Sequence, residues 1–284
     1  MIDRICIIGV GLIGGSFAKG LRENAQVGTV VGYGRQQDNL QKAVELGVID
    51  EYSLDIASAL ADVQLVIIAT PVDSFQQVLE MIKPHIDDTT IISDVGSTKG
   101  SVVRMANTVL ADTAHQFVPA HPIAGKEKSG VSAADANLFT NKRVIITPQS
   151  DTNVQATEVV AELWQSIGAK VEMMDYQTHD NLLGMTSHLP HMLAFALMDY
   201  LISQNPDACD YAAGGFKDFS RIASSDAVMW RDICLNNSDE IIKHIDGYKA
   251  ALDKLSNLIQ QQQSTELEQL FIKAKSARDN WLDD

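Results

Sequence analysis

The chain has 284 residues, 45% of them hydrophobic and 21% charged, the composition of a folded globular protein with room for two cores. A formal charge of −15 excludes nucleic acid and anionic membrane surfaces as partners, because both need a basic face, and it requires any anionic ligand to be held by a local cation. Cys6, Cys209 and Cys234 are odd in number and share no metal-ligand spacing, so neither a disulfide framework nor a metal site is expected.

The opening MIDRICIIGVG runs into a strand pattern instead of a signal peptide, and no apolar run reaches the ~18 residues of a membrane span. A cytoplasmic protein is expected. Up to about residue 175, short Val- and Ile-rich runs alternate with helical periodicity, the pattern of a parallel sheet covered by helices. Strands are predicted over residues 4–8, 29–33, 65–69, 90–94, 116–119, 143–147 and 170–174, with helices over 16–23, 74–82, 100–110 and 153–166 between them. Beyond residue 176 those runs stop, and long amphipathic segments follow over 179–205, 226–235, 238–263 and 265–281. The expected class is α/β, with a doubly wound domain at 1–175 and an all-helical domain at 176–284. The helical part is too elongated to hide its apolar faces within one subunit, which predicts a homodimer formed through it.

Gly9-Val10-Gly11-Leu12-Ile13-Gly14 directly follows the first predicted strand and opens a helix, the setting in which three glycines bind a dinucleotide. Gly9 permits the tight turn, Gly11 lets the backbone approach a pyrophosphate, and Gly14 lets the helix pack close to the strand. The helix N-terminus, with Leu12 and Ile13 in its first turn, favours the anion, and Ser16 is a further candidate donor. At the end of the second strand, where a carboxylate would accept the ribose 2′-hydroxyl of NAD, the chain reads Gly32-Tyr33-Gly34-Arg35. With no carboxylate there and Arg35 available to pair with a 2′-phosphate, NADP is favoured and NAD remains possible; the bland reading of Arg35 is a solvated turn residue. Thr70 and Pro71, after the strand LVIIA, are expected to wall the nicotinamide side of the cleft.

Four clusters lie at element ends: DVGSTKG (94–100), HPIAGKEKSG (121–130), SHLPH (187–191) and GGFKDFSRIASSDAVMWRDI (214–233). With the glycine loop they resemble, in order and at compatible spacing, the prephenate/arogenate (cyclohexadienyl) dehydrogenases across nearly the whole chain. The resemblance implies oxidative decarboxylation of prephenate or arogenate on the route to tyrosine, with hydride transfer to NAD(P)+. It further implies that His121 is the catalytic base and that Ser97 orients the substrate hydroxyl. Loss of the hydroxyl proton must accompany hydride loss, so a neutral imidazole within reach suits the reaction. Ser97 has a second reading as the N-cap of the helix near Lys99.

The resemblance also matches Arg221 to an arginine that grips the substrate carboxylate, His191 to a histidine at the substrate side chain with His188 one turn earlier, and Glu127 to an acid in an ionic network. Arg221 can instead pair with Asp218 on its own segment, and His188 can be a packed histidine. Lys126 is read as solvated or, if it points inward, as disfavouring the extra cation of arogenate. Trp230 and Met229 are read as packing the helical region. Two histidines three apart with no third ligand argue against metal. The competing readings are a β-hydroxyacid or 6-phosphogluconate-type dehydrogenase, which uses a helical lysine and lacks the HPIAG histidine, and a non-catalytic dinucleotide sensor.

Overall fold

The computed structural model describes residues 2–126 and 128–283. Among them the strands are β1 (Ile2–Ile8), β2 (Val27–Tyr33), β3 (Glu51–Ser53), β4 (Leu65–Ile68), β5 (Ile91–Asp94), β6 (Phe117–Val118), β7 (Ala120–Pro122), β8 (Arg143–Ile146) and β9 (Lys170–Met173). The helices interleaved with them are α1 (Leu12–Glu23), α2 (Gln37–Glu45), α3 (Ile56–Ala59), α4 (Phe75–Ile82), α5 (Gly100–Leu110) and α6 (Val154–Ser166). After β9 only helical elements follow: α7 (Tyr176–Leu183), α8 (Leu189–Gln204), α9 (Gly214–Ser220), α10 (Ala227–Asn236), α11 (Ser238–Gln260) and α12 (Ser264–Asp283), with short 3-10 and π turns between some of them.

A six-stranded parallel sheet runs in the order β3-β2-β1-β4-β5-β6, so the strand order reverses between β1 and β4. Such a switch point opens a crevice at the carboxyl edge of the sheet. The two-residue period of a strand divides the buried side chains between two cores. Ile5, Ile7, Leu65 and Ile67 face a cluster with Phe17, Leu21 and Trp164 of α1 and α6. Cys6, Ile8, Val66 and Ile68 face one with Phe75, Leu79, Val102 and Ala106 of α4 and α5. Each large side chain buried this way contributes about 1.5–3 kcal/mol, and burial on both faces explains why residues 5–8 of β1 and the whole of β4 read as unbroken apolar runs.

The structure corrects the expected single sheet. The strands predicted at 143–147 and 170–174 belong to a separate three-stranded sheet, β7-β8-β9, in which β8 is antiparallel to β7 and parallel to β9. The break falls at Pro119, which has no N–H to donate to a ladder. The chain there leaves β6 and restarts as β7, and this short strand carries His121.

By compactness the chain falls into two units, Met1–Ser238 and Asp239–Asp284. In the first unit, α7 and α8 are joined by a π turn, Gly184–His188. Pro190, at the start of α8, explains the widening: it lacks an N–H and its ring crowds the carbonyl four residues back. The second unit consists of α11 and α12, and the Gln261–Gln263 turn between them includes Gln262 at φ +53°.

Candidate active site

The glycine loop shows the tight turn expected at Gly9 and the close helix packing expected at Gly14. Gly9 sits at φ +95°, and a Cβ there would lie 2.8 Å from the Ala69 carbonyl oxygen. A Cβ on Gly14 would lie 2.7 Å from the Gly9 oxygen and 2.9 Å from Ile7 and Ala69, so only hydrogen lets α1 pack this close to β1 and β4. At Gly11, by contrast, an added Cβ meets nothing within 4 Å. Gly11 is also the N-cap of α1 and has no side-chain cap, so the first N–H groups of the helix open onto this free space. An open, donor-rich helix end fits a pyrophosphate. Asn39 of α2, which the sequence reading missed, donates to the Val10 carbonyl at 3.0 Å and holds the loop from below.

Leu12 and Ile13 are half-buried in the first turn, packed on the core. Ser16 is fully buried and accepts from the Asp135 N–H at 2.9 Å, which ties α1 to the segment after β7. Arg35 is exposed in the loop between β2 and α2. Thr70 and Pro71 follow β4, with the Thr70 methyl against Gly9 and its hydroxyl accepting from Ser74 at 2.8 Å.

The loops after β5 and β6 emerge at the same edge. Asp94 ends β5, and both Asp94 and Lys99 are fully buried and paired with each other. Asp94 also accepts from the Gly96 N–H at 2.7 Å and the Ala120 N–H at 3.1 Å, while the Lys99 ammonium donates to the Ala120 carbonyl at 2.8 Å. Burial pushes the Asp94 carboxyl up and the Lys99 ammonium down, and their mutual attraction opposes both shifts. Together they clamp both polar groups of the residue before His121. Ser97 stands half-buried between β5 and α5, and among the described residues its hydroxyl has no hydrogen-bond partner. It does not cap α5. That role falls to Asp180 of α7, whose carboxylate accepts from the N–H groups of Lys99 at 2.8 Å and Gly100 at 2.7 Å.

His121 is 8% exposed. Its Nδ1 lies 2.9 Å from His179 Nε2, and His179 Nδ1 lies 2.8 Å from Asp180 Oδ1. Burial, with His179, Lys99 and His188 nearby, holds the His121 pKa well below 6.5. His188 is 1% exposed and bonded at 3.1 Å to Asn237 Nδ2, which also donates to the Asp180 carbonyl. This is the packed arrangement of the two read from the sequence. His191 is half-buried, stacks on Trp230 with ring centroids 3.7 Å apart, and has Nδ1 2.9 Å from the Ser187 carbonyl. The guanidinium of Arg221 is close enough to oppose protonation of His191, although burial is the larger cause of its lowered pKa.

Arg221 is exposed and lines a cavity of about 380 Å³ with Phe195, Met198 and Lys217. Trp230 is buried and its indole N–H has no acceptor among the described residues, whereas Met229 is 43% exposed and does not pack the interior as expected. Lys126 pairs with Asp135 at 2.7 Å, so its ammonium is engaged there and lends no support to discrimination between prephenate and arogenate. Glu127 lies outside the described residues. Among those residues no cluster of three metal-ligating side chains occurs, and no helix is long and apolar enough to cross a membrane.

A doubly wound sheet with a glycine turn at its switch point and a buried imidazole at the same edge defines a dinucleotide-dependent oxidoreductase. The family model for the prephenate dehydrogenase nucleotide-binding domain matches residues 17–173, and that for the prephenate dehydrogenase dimerization domain matches residues 175–273. The chain belongs to the prephenate dehydrogenase family of oxidoreductases. It is 38% identical to the prephenate dehydrogenase of Bacillus subtilis over 283 residues, 98% of this chain and 76% of that one. It is 34% identical to the cyclohexadienyl dehydrogenase of Zymomonas mobilis, over 98% of this chain and 96% of the relative. The crystal structure of A. aeolicus prephenate dehydrogenase with hydroxyphenyl propionate and NAD+ superposes with a TM-score of 0.93 at 39% identity, covering 98% of both chains. Synechocystis arogenate dehydrogenase superposes with a TM-score of 0.85 at 29% identity, covering 98% and 99%.

Proposed function

We propose that the chain oxidises and decarboxylates prephenate to 4-hydroxyphenylpyruvate in tyrosine biosynthesis, with residues 1–175 binding the cofactor and 176–284 binding substrate and dimerising. The observation that carries this reading is the buried His121 imidazole, held at the sheet edge that also bears the open Gly11 turn. A bound nicotinamide dinucleotide supplies the hydride acceptor. His121 takes the hydroxyl proton, and its low proton affinity keeps it neutral, and so competent as a base, at neutral pH. Ser97, with its unengaged hydroxyl, orients the same oxygen. Arg221 grips a substrate carboxylate, and His191 with the unsatisfied Trp230 N–H faces the side chain. Departure of the ring carboxylate as carbon dioxide leaves an aromatic ring and draws the reaction forward.

The exposed Arg35, with no carboxylate at the end of β2, supports a preference for NADP. Dimerisation is supported by the family description of residues 175–273 and by α8, an apolar helix that buries only Leu189 and Ala194 and leaves Tyr200 and Ile202 exposed. A 31.0 kDa monomer in sedimentation at micromolar concentration would overturn it.

Steady-state kinetics with prephenate and arogenate, each with NAD+ and NADP+, tests the reading. Prephenate turnover is expected, with higher kcat/KM for NADP+ and loss of that preference in Arg35→Ala. His121→Asn is expected to lower kcat by about 10²–10⁴-fold with little change in KM. A His121→Asn enzyme that keeps most of its turnover would refute the assignment and favour a lysine-based dehydrogenase.

A further inference from the structure

The geometry points to His179 and Asp180 as positioning residues for His121, forming with it an Asp–His–His proton relay that fixes the base's tautomer and shares the proton it accepts. This rests on the proposed function for its chemistry, though not for its geometry.

Asp180 is anchored by two N–H groups at the first turn of α5, at 2.8 and 2.7 Å, and its pKa is lowered: burial raises it, but the hydrogen bonds from His179 and from those amides prevail. It is therefore ionised and can only accept. His179 Nδ1, 2.8 Å from that carboxylate, must carry its proton, which leaves Nε2 of the neutral ring as an acceptor. His121 Nδ1, 2.9 Å from His179 Nε2, must then donate. The lone pair of His121 is thus on Nε2, the nitrogen not used by the relay.

The charges follow. As the substrate hydroxyl loses its proton to His121 Nε2, the His121 Nδ1 proton moves toward His179 Nε2; a bound nicotinamide would take up the carbinol hydride. One positive charge, shared by two imidazoles, then faces one carboxylate, and no group is left with an extra bond. Burial disfavours a protonated His179 and Asp180 favours it, so the carboxylate is what makes the shared charge tolerable. The other charged or titratable groups near the pair are Lys99, neutralised by Asp94, and His188, bonded to Asn237. Glycine at 100 is part of the arrangement, because a Cβ there would lie 2.8 Å from Asp180 Oδ2.

Nitrogen-15 spectroscopy of histidine-labelled protein at neutral pH decides the tautomers without substrate. The expected result is His121 protonated on Nδ1 with a bare Nε2; a proton on Nε2 overturns the relay. In Asp180→Asn the amide can donate to His179 Nδ1, which inverts both tautomers, and kcat is expected to fall by about 10²-fold or more with KM within about 3-fold. Wild-type kcat in His179→Asn and Asp180→Asn, beside a disabled His121→Asn, would refute the relay and leave the function standing. A wild-type enzyme inert to both substrates would refute the function, while the tautomer measurement would still decide the relay.

Discussion

At the scale of single residues, the three glycines of the first turn separate folding from binding. Alanine at 14 would press its methyl against the Gly9 oxygen, Ile7 and Ala69, all under 3 Å, and overpacking of this kind costs about 1–3 kcal/mol. Alanine at 11 touches nothing and suits the extended backbone there, at φ −108°. Gly14→Ala is therefore expected to lower Tm. Gly11→Ala should melt like the wild type yet bind dinucleotide at least about 10-fold more weakly, a loss of about 1.4 kcal/mol. Calorimetric titration with NAD+ and NADP+ checks this, and wild-type affinity in Gly11→Ala would remove the pyrophosphate from that space.

At the scale of elements, the segment from the end of β5 to the start of α5 does more than its motif announced. Removing one partner of the buried Asp94–Lys99 pair leaves an uncompensated charge, so Lys99→Met is expected to destabilise the fold by about 3–5 kcal/mol, read from urea midpoints. A stability within about 0.5 kcal/mol of wild type, on the order of an ordinary surface change, would show the pair to be dispensable. Periodicity disclosed most elements here, including α5 to the residue. It missed β3 and β7, because three-residue strands such as Glu51–Ser53 and Ala120–Pro122 are too short to show alternation. The DVGSTKG cluster was visible, but its Asp and Lys lie at the two ends of a loop, and only folding reveals that they clamp Ala120. His179 and Asp180 carried one weak local signal, adjacent titratable residues in the middle of α7, and their partners are more than 50 residues away in sequence.

At the scale of the whole molecule, buried neutral histidines link stability to pH. Burial lowers the His188 pKa from 6.5 to about 4, so between those values the unfolded chain binds a proton that the native state refuses. Stability present above pH 6.5 is lost as pH falls toward 4, by about 3 kcal/mol for this residue alone. His121, His179 and His191 shift in the same direction and add to the slope. Urea midpoints between pH 7.5 and 4.5 are expected to fall accordingly, and His188→Gln should flatten part of the decline; an unchanged slope would mean that His188 takes up its proton equally in the native and the unfolded chain.

The Asp180 contact has a last consequence, for modularity. The glycine loop, the parallel sheet and His121 all precede residue 175, which invites the view that this half is a portable cassette. Yet the carboxylate that ends the orphaned donors of α5, and the imidazole that completes the ring pair, are both contributed from beyond that point. A fragment cut at 175 would keep the glycine loop and lose the contacts that His179 and Asp180 make with His121 and α5, so grafting the first half onto a foreign helical partner is expected to transfer dinucleotide binding without the support of the proposed base.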